Sequence, residues 1–216
     1  MINKPNWHFE LEQGSDAWKA YRAGKVTASM VSDIFAGGTG KSRENALAVL
    51  VRELLTGKPV ESFSNHHTQR GTENEPIGRM LYEAYAGDEV QTVGFIDHPF
   101  LKGYGASPDG FREESGKLIG LELKNRSAAI HIQVLDGREI PGKDMFQMIA
   151  QMDCGEFDAV DYGSYNPDFP GKMALHVVRV WRTAEVEKLI TERQWKIKAF
   201  IDEAHEQVDN LRRKYG

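Results

Sequence analysis

The chain has 216 residues, of which 40% are hydrophobic, and its formal net charge is −5 at neutral pH. This length fits one compact domain, because a chain of this size buries roughly 70% of its unfolded surface around a single core. The negative charge argues against a protein that coats nucleic acid by charge alone, so a DNA partner would need a local basic surface or a metal ion bound beside the acidic groups.

A few features of the sequence indicate where in the cell the protein is located. The single cysteine, Cys154, excludes an intramolecular disulfide. No apolar run approaches the roughly 18 residues of a membrane span, and residues 1–7 lack the basic and apolar regions of a signal peptide. The sequence therefore predicts a cytoplasmic protein with no membrane partner. No linker or repeat divides the chain, so we expect one domain over residues 1–216.

The spacing of apolar residues in the amino-terminal half of the chain is typical of helices. The predicted helices cover about residues 15–23, 27–36, 42–57 and 69–86. Ser15 and Ser42 are placed to cap the first and third of these, and either Thr27 or Ser29 opens the second. Gly57 is expected to end the third helix, since glycine adopts the left-handed capping conformation without strain.

After residue 89 the hydrophobic period changes to two, which indicates strands. The predicted strands cover residues 90–96, 104–106, 110–112, 117–124, 159–165 and 174–181, with a turn at 114–116 and a helix near 143–152. Thr183 is expected to cap a final helix with one apolar stripe, long enough to reach roughly 45–50 Å. These elements predict an α/β or α+β fold with a central mixed sheet flanked by helices and a long carboxyl-terminal helix.

One turn and one strand carry the residues of greatest chemical interest. In Ser107-Pro108-Asp109-Gly110 the proline and glycine favour a turn, which places Asp109 at the mouth of a strand. Side chains alternate along a strand, so Glu122 and Lys124 share one face at roughly 7 Å, while the flanking leucines face the other side. Because a short hairpin joins the two segments, the three charged residues are predicted to converge.

These residue types fit metal-dependent phosphodiester hydrolysis. Carboxylate oxygens are the ligands that Mg²⁺ prefers, and a lysine can orient or deprotonate the attacking water. Asp109 and Glu122 are the predicted metal ligands, with the Leu123 carbonyl as a further candidate. Lys124 is the predicted catalytic cation, and Glu75 on the preceding helix is the candidate third carboxylate. Either motif alone is typical of an ordinary turn or a solvated strand face, so the prediction depends on their combination.

Several motifs together resemble one family of nucleases. They are Gln13-Gly14-Ser15-Asp16-Ala17-Trp18, Arg22, Gly24, Val26-Thr27-Ala28-Ser29, residues 71–75, Ser107-Pro108-Asp109-Gly110, Glu122-Leu123-Lys124 and Gln147. With them the chain resembles the lambda exonuclease or YqaJ viral recombinase family of PD-(D/E)xK nucleases, from Trp7 to the last helix. The chain departs from the family at Asn125-Arg126 and in a longer hairpin before Glu122, which leaves the local DNA contacts open.

The resemblance implies a restriction-endonuclease-like core and a set of site residues. Asp109 and Glu122 would bind Mg²⁺, for which Mn²⁺ would substitute, Lys124 would be catalytic, and Glu75 would support the metal or the water. The 5′ phosphate of DNA would be held by Arg22, Ser29, Ser107 and Gln147. The glutamine assignment stays open between Gln147 and Gln151, because both lie on one helical face.

The resemblance also implies an activity and partners. The chain would degrade one strand of linear duplex DNA from the 5′-phosphate end to 5′-mononucleotides, leaving a 3′ single strand for recombination in a bacterial or phage-infected cell. It would form a ring-shaped homotrimer and work with a single-strand annealing protein. Two alternatives are an endonuclease of the same fold and a non-catalytic module that binds DNA ends or a partner. Processivity, pausing and the number of metal ions are left open.

Overall fold

The computed structural model describes residue 4 and residues 6–36, 40–60 and 66–216, with the backbone alone for residues 66–75. Its strands are β1 (Trp7–His8), β2 (Val26–Thr27), β3 (Phe95–Asp97), β4 (Tyr104–Ala106), β5 (Gly110–Glu114), β6 (Lys117–Asn125), β7 (Ala159–Tyr165) and β8 (Leu175–Trp181). Its α-helices are α1 (Asp16–Arg22), α2 (Val31–Ile34), α3 (Lys41–Thr56), α4 (His66–Ala86), α5 (Ala128–Leu135), α6 (Gly142–Gly155) and α7 (Ala184–Tyr215). Short 3₁₀ turns cover Ala28–Met30 and Gly171–Ala174.

The strands of the described ranges form two mixed sheets. The larger sheet has the order β5-β6-β7-β8, in which β6 and β7 run parallel and the outer pairs are antiparallel. The smaller sheet has the order β1-β3-β4-β2, and its parallel pair joins β2 to β4. The expected mixed sheet flanked by helices is therefore confirmed.

Two helices cover opposite faces of the larger sheet. On one face, α4 approaches the sheet closely at Gly78, and the hydroxyl of Tyr82 donates to the buried Asp161 at 2.6 Å. On the other face, α6 packs over the side of β6 that carries Glu122 and Lys124. This charged pair therefore lies between strand and helix, with Glu122 buried and Lys124 partly exposed.

The carboxyl-terminal helix α7 confirms the predicted long element. The hydroxyl of Thr183 accepts a hydrogen bond from the Val186 amide, and the helix continues for 32 residues, about 48 Å. Its buried residues are Ile190, Ile197, Phe200, Ile201, Ala204 and Val208. They form the stripe that packs α7 against α3 and α6. None of the helices in the described ranges is both long and apolar enough to cross a bilayer.

Some predicted helix starts were wrong. Ser42 lies inside the first turn of α3, whose N-cap is Gly40. Thr27 does open a helical segment, since it is the N-cap residue of the 3₁₀ turn Ala28–Met30 that leads into α2. Its side chain makes no capping hydrogen bond, and its backbone also pairs with Gly105 as part of β2. The helix predicted from residue 69 begins at His66. By contrast, Ser15 accepts from the Trp18 amide as a helix cap, and Gly57 ends α3 in the left-handed conformation, both as expected.

The strand predictions were accurate in the larger sheet and poorer in the smaller one. β7 has the predicted bounds, and Ser115 and Gly116 adopt the positive φ angles of a tight hairpin turn between β5 and β6. The predicted strand over residues 90–96 shrinks to β3, since the preceding residues make only an isolated bridge at Gln91. The elements β1, β2 and α5 were not predicted, because their apolar segments are too short for a periodic signal.

Gly105→Ala is expected to destabilise the protein by about 1–3 kcal/mol, because it overpacks the smaller sheet. An added Cβ would lie 2.6 Å from the backbone oxygen of Ile96 and would also overlap the ring of Phe95. Urea unfolding followed by circular dichroism measures the change. Gly142→Ala is the matched control, since its Cβ would meet no atom within 4 Å, and its midpoint should not fall.

Candidate active site

An ion pair on β6 forms the centre of the candidate site. The Nζ of Lys124 lies 2.5 Å from Oε1 of Glu122, which confirms that the two side chains share one face of the strand. Glu122 is 1% exposed and the side chain of Lys124 is 26% exposed. A nearly inaccessible carboxylate thus lies beside a lysine that still reaches solvent, which a surface strand face would not produce.

Asp109 lies beside β6, in the turn that leads into β5. Its backbone amide donates to the Leu121 carbonyl at 3.0 Å, which extends the β5–β6 pairing into the turn. Its Oδ2 accepts a hydrogen bond from the Leu123 amide at 2.6 Å. The carboxylate of Asp109 is therefore fixed next to the Glu122-Leu123-Lys124 segment.

The charges of these groups act on one another. Burial disfavours the charged form of Lys124, but the carboxylates of Glu122 and Asp109 outweigh burial and raise the pKa of the ammonium group to about 12. The contact of Lys124 with Glu122 and the hydrogen bond of Asp109 to the Leu123 amide place both carboxylates near this nitrogen. The structure thus brings together the three residues that the sequence predicted to converge.

Two glutamines of α6 contact this ion pair. Oε1 of Gln147 accepts from Nζ of Lys124 at 3.1 Å, and Nε2 of Gln151 donates to Oε2 of Glu122. The sequence left the glutamine assignment open between these two positions. Both contact the ion pair, because four residues make about one helical turn and present both side chains to β6.

The polar groups at the site fit a hard divalent cation. Asp109 and Glu122 supply carboxylate oxygens, and the buried Oε1 of Gln151 has no hydrogen-bond partner among the described residues. Within the part of the chain whose side chains are described, no three His, Cys, Asp or Glu residues form a metal cluster. Glu75, the candidate third carboxylate, lies on α4, and its side chain is outside the described residues.

A second group of expected site residues surrounds Trp18. The guanidinium of Arg22 stacks on the indole of Trp18 at 3.8 Å, and the indole Nε1 donates to Oγ of Ser107 at 3.1 Å. Ser107 in turn donates to the Gly94 carbonyl at 2.8 Å. Because Ser107 is two residues before Asp109, this chain of contacts links Arg22 to the turn that carries the carboxylate.

Arg22 is desolvated in this arrangement. Burial lowers the pKa of its guanidinium to about 10, against the opposing effect of Glu53. Its Nε atom is buried without a hydrogen-bond partner in the described structure, which leaves a donor for an anion. Ser29 is exposed, and its described hydrogen bond goes to Thr27 at 3.1 Å. The structure therefore joins Arg22 to Ser107 but leaves Ser29 outside this chain of contacts.

Comparison with known proteins identifies the family. Residues 17–158 match the model of the YqaJ-like viral recombinase domain, a range that includes Arg22, Asp109, Glu122, Lys124 and Gln147. The chain belongs to this family. It is also 30% identical over 169 residues to the uncharacterized protein R354 of Acanthamoeba polyphaga mimivirus. That match covers 71% of this chain but only 29% of the length of the viral protein.

Crystal structures of exonucleases share the fold of this YqaJ-like chain. The alkaline exonuclease LHK-Exo from Laribacter hongkongensis is 34% identical with a TM-score of 0.83, and its complex with dAMP is 35% identical with a TM-score of 0.84. Each alignment covers 93% of this chain and 97% of the other. A phage-related exonuclease from Haemophilus somnus 129PT is 14% identical with a TM-score of 0.60, over 85% of this chain and 96% of the other. This last similarity concerns the fold alone.

The YqaJ-like domain contains a further network that sequence reasoning missed. The guanidinium of Arg126 pairs with the buried Asp144, and its Nε donates to the hydroxyl of Tyr162 at 3.0 Å. That hydroxyl also donates to Asp144 at 3.0 Å. The signal in the sequence was the spacing of Asp144, Gln147 and Gln151, which repeats on one face of a helix.

A cleft of about 510 Å³ opens beside the turn of the YqaJ-like domain that carries Asp109. It is lined by residues 9–13 and 92–94 together with Pro76 and Arg79. Gln13 closes one wall, because its Nε2 lies 2.9 Å from both the Val93 and the Pro108 carbonyls. The hydrogen bond from Gln13 to the Pro108 carbonyl thus places one wall of the cleft beside the turn that carries Asp109.

Proposed function

We propose that the chain is a Mg²⁺-dependent 5′–3′ exonuclease that degrades one strand of linear double-stranded DNA to 5′-mononucleotides. Family membership and the similarity to two LHK-Exo structures support a nuclease role. The observation that carries the proposal is the contact of Lys124 with Glu122 beside Asp109, on a strand whose middle is buried. The complex of LHK-Exo with dAMP supports the assignment of the product.

In this proposal the residues have distinct roles. Asp109 and Glu122 would hold Mg²⁺, with the Leu123 carbonyl and Glu75 as further candidates. When bound, the ion would acidify water and offset charge on the phosphate. Lys124 donates hydrogen bonds from a position between Glu122 and Gln147, from which it can orient a water toward the phosphodiester. Mn²⁺ should substitute, because it accepts the same oxygen ligands.

The 5′ phosphate would bind at Arg22. The stack on Trp18 presents a planar guanidinium, a group that binds phosphate oxygens with two parallel hydrogen bonds. Ser107 is the candidate second donor, since it lies between Trp18 and Asp109. Ser29 and Gln147 stay candidates for this role as well, Ser29 from the exposed 3₁₀ turn and Gln147 from α6.

The proposal extends to assembly and partners. A ring-shaped homotrimer around DNA would confine basic side chains to its channel, which is compatible with a net charge of −5. Sedimentation equilibrium should then give three times the chain mass of 24.3 kDa. The 3′ strand left by digestion would be the substrate of a single-strand annealing protein, in the cytoplasm of a bacterial or phage-infected cell.

Digestion of end-labelled linear duplex tests the activity. We expect a radioactive 5′-phosphate to be released early as mononucleotide, while a label at the 3′ end of the same strand persists until that strand is consumed. Removal of divalent ions with EDTA should stop the release of the 5′ label and of the 3′ label, since the carboxylates alone supply no Lewis acid. Early loss of the 3′ label would contradict the polarity.

Covalently closed duplex of the same sequence is the control. An enzyme that requires a DNA end leaves the circle intact, whereas an endonuclease of this fold nicks it. A non-catalytic module would bind the linear duplex but release no label from either end. The three outcomes therefore separate the proposed function from its two alternatives.

A further inference from the structure

Side chains of β6 and of Arg126, which directly follows it, meet those of α6 as a ladder of polar pairs. The pairs are Glu122 with Gln151, Lys124 with Gln147, and Arg126 with Asp144. Every second residue of a strand advances about 6.6 Å, while three or four residues of a helix advance about 4.5–6 Å. The two spacings match closely enough for three successive contacts, and each contact joins groups of complementary charge or hydrogen-bonding type.

The pair of Arg126 with Asp144 holds α6 against the end of β6 without contacting Glu122 or Lys124 directly. Arg126 bonds both Asp144 of α6 and Tyr162 of β7, and its carbonyl accepts from Asn166 at 2.8 Å. Asp144 and Tyr162 are buried, so this contact is shielded from water. It sets the position of α6 along β6, and thereby determines which residues of the helix face Glu122 and Lys124.

Gln151 is the most enclosed member of the ladder. Its exposed fraction is 0%, and its Nε2 donates to Oε2 of Glu122, while Oε1 of Glu122 contacts Lys124. The two contacts act on different oxygens, so together they determine the orientation of the carboxylate. Without Gln151 the carboxylate of Glu122 could turn both oxygens toward Lys124, which would leave it less available to a cation.

We propose that Gln151 is a positioning residue that orients Glu122 for the divalent cation, a role that rests on the proposed function. Its Oε1, buried and without a described partner, is an acceptor for a polar group at the same place. Groups that orient a metal ligand commonly change metal affinity or activity by about 10- to 100-fold when they are removed. Gln151 therefore contributes to cation binding through its hydrogen bond to Glu122.

Gln151→Met tests this inference, because it keeps the buried volume and removes the amide. Titration calorimetry with Mn²⁺, in the absence of DNA, should show binding weakened by about 10- to 100-fold relative to wild type. At a fixed Mn²⁺ concentration below saturation, kcat on linear duplex should fall while KM for DNA is unchanged. Gln151→Asn, whose shorter side chain cannot reach Glu122 in the same way, should weaken Mn²⁺ binding in the same direction and is the second variant.

Gln194→Met is the matched control. Gln194 also donates from Nε2 to a buried carboxylate, Asp153, at 2.7 Å, but it lies on α7. The Gln194→Met variant should have an unfolding temperature lowered about as much as that of Gln151→Met, and its affinity for Mn²⁺ should equal that of the wild-type protein. Wild-type affinity in both Gln151 variants would overturn the inference and spare the proposed function. Failure of the wild-type protein to bind Mn²⁺ would instead overturn the proposed function.

Discussion

Asp109→Asn is expected to reduce DNA hydrolysis at least about a thousandfold while the protein stays folded. The amide keeps an oxygen that can accept the hydrogen bond from the Leu123 amide, now at 2.6 Å, so the turn should survive. What it loses is a negative charge at the proposed Mg²⁺ site. A bound metal commonly contributes several kcal/mol to the transition state, and about 1.4 kcal/mol corresponds to a factor of ten in rate.

The rate of mononucleotide release from linear duplex at saturating Mg²⁺ measures this effect. Asp158→Asn is a closely matched control, because Asp158 Oδ2 also accepts from a backbone amide of β6, that of Leu118 at 2.7 Å, but at the opposite end of the strand. The control should retain wild-type turnover. If Asp109→Asn digests DNA as fast as the wild-type protein does, the metal site has been assigned to the wrong residues.

Arg22→Met is expected to abolish most of the preference for 5′-phosphorylated ends. In the wild-type protein we expect duplex with a 5′ phosphate to be digested at least about tenfold faster than duplex with a 5′ hydroxyl, since hydrogen bonds to charged groups contribute about 1.5–3 kcal/mol each. Methionine keeps an apolar contact with Trp18 but has neither charge nor donors. The ratio of the two rates should therefore approach one in the variant.

The comparison requires both substrates for each protein, because the ratio separates phosphate recognition from general loss of activity. Arg52→Met is the control, since Arg52 is an exposed residue of α3 that is not placed in the site. Its ratio should equal that of the wild-type protein. A full preference for the phosphate in Arg22→Met would remove Arg22 from this role and direct attention to Ser107 and Ser29.

Local patterns in the sequence were sufficient to predict how the residues of β6 and of the turn before β5 are arranged. The alternation of side chains along β6 placed Glu122 and Lys124 on one face, and the structure brings their charged groups into contact. The turn residues around Asp109 led into β5 as expected. Helix caps at Ser15 and Thr183 were equally local, because each cap involves an amide three residues further along.

Other features depended on contacts between distant segments. Thr27 precedes a 3₁₀ turn, as a residue that opens a helix should, but pairing of Val26–Thr27 with Tyr104–Gly105 also makes it part of a strand that was not predicted. The helical spacing of Gln147 and Gln151 was visible, yet only the packing of α6 on β6 showed that each contacts a different member of the ion pair. A local pattern specifies which residues share a face and not which face meets another element.

The sequence by itself determined the order of the main elements, the family resemblance and the three residues of the central charged group. These follow from backbone geometry and from side chains close together along the chain. Only the tertiary structure decided that Arg22 is desolvated on Trp18, that Arg126 pairs with Asp144, and that Gln151 reaches Glu122. The reason is that burial and buried hydrogen bonds arise from partners far apart in the chain, whose pairing no local periodicity encodes.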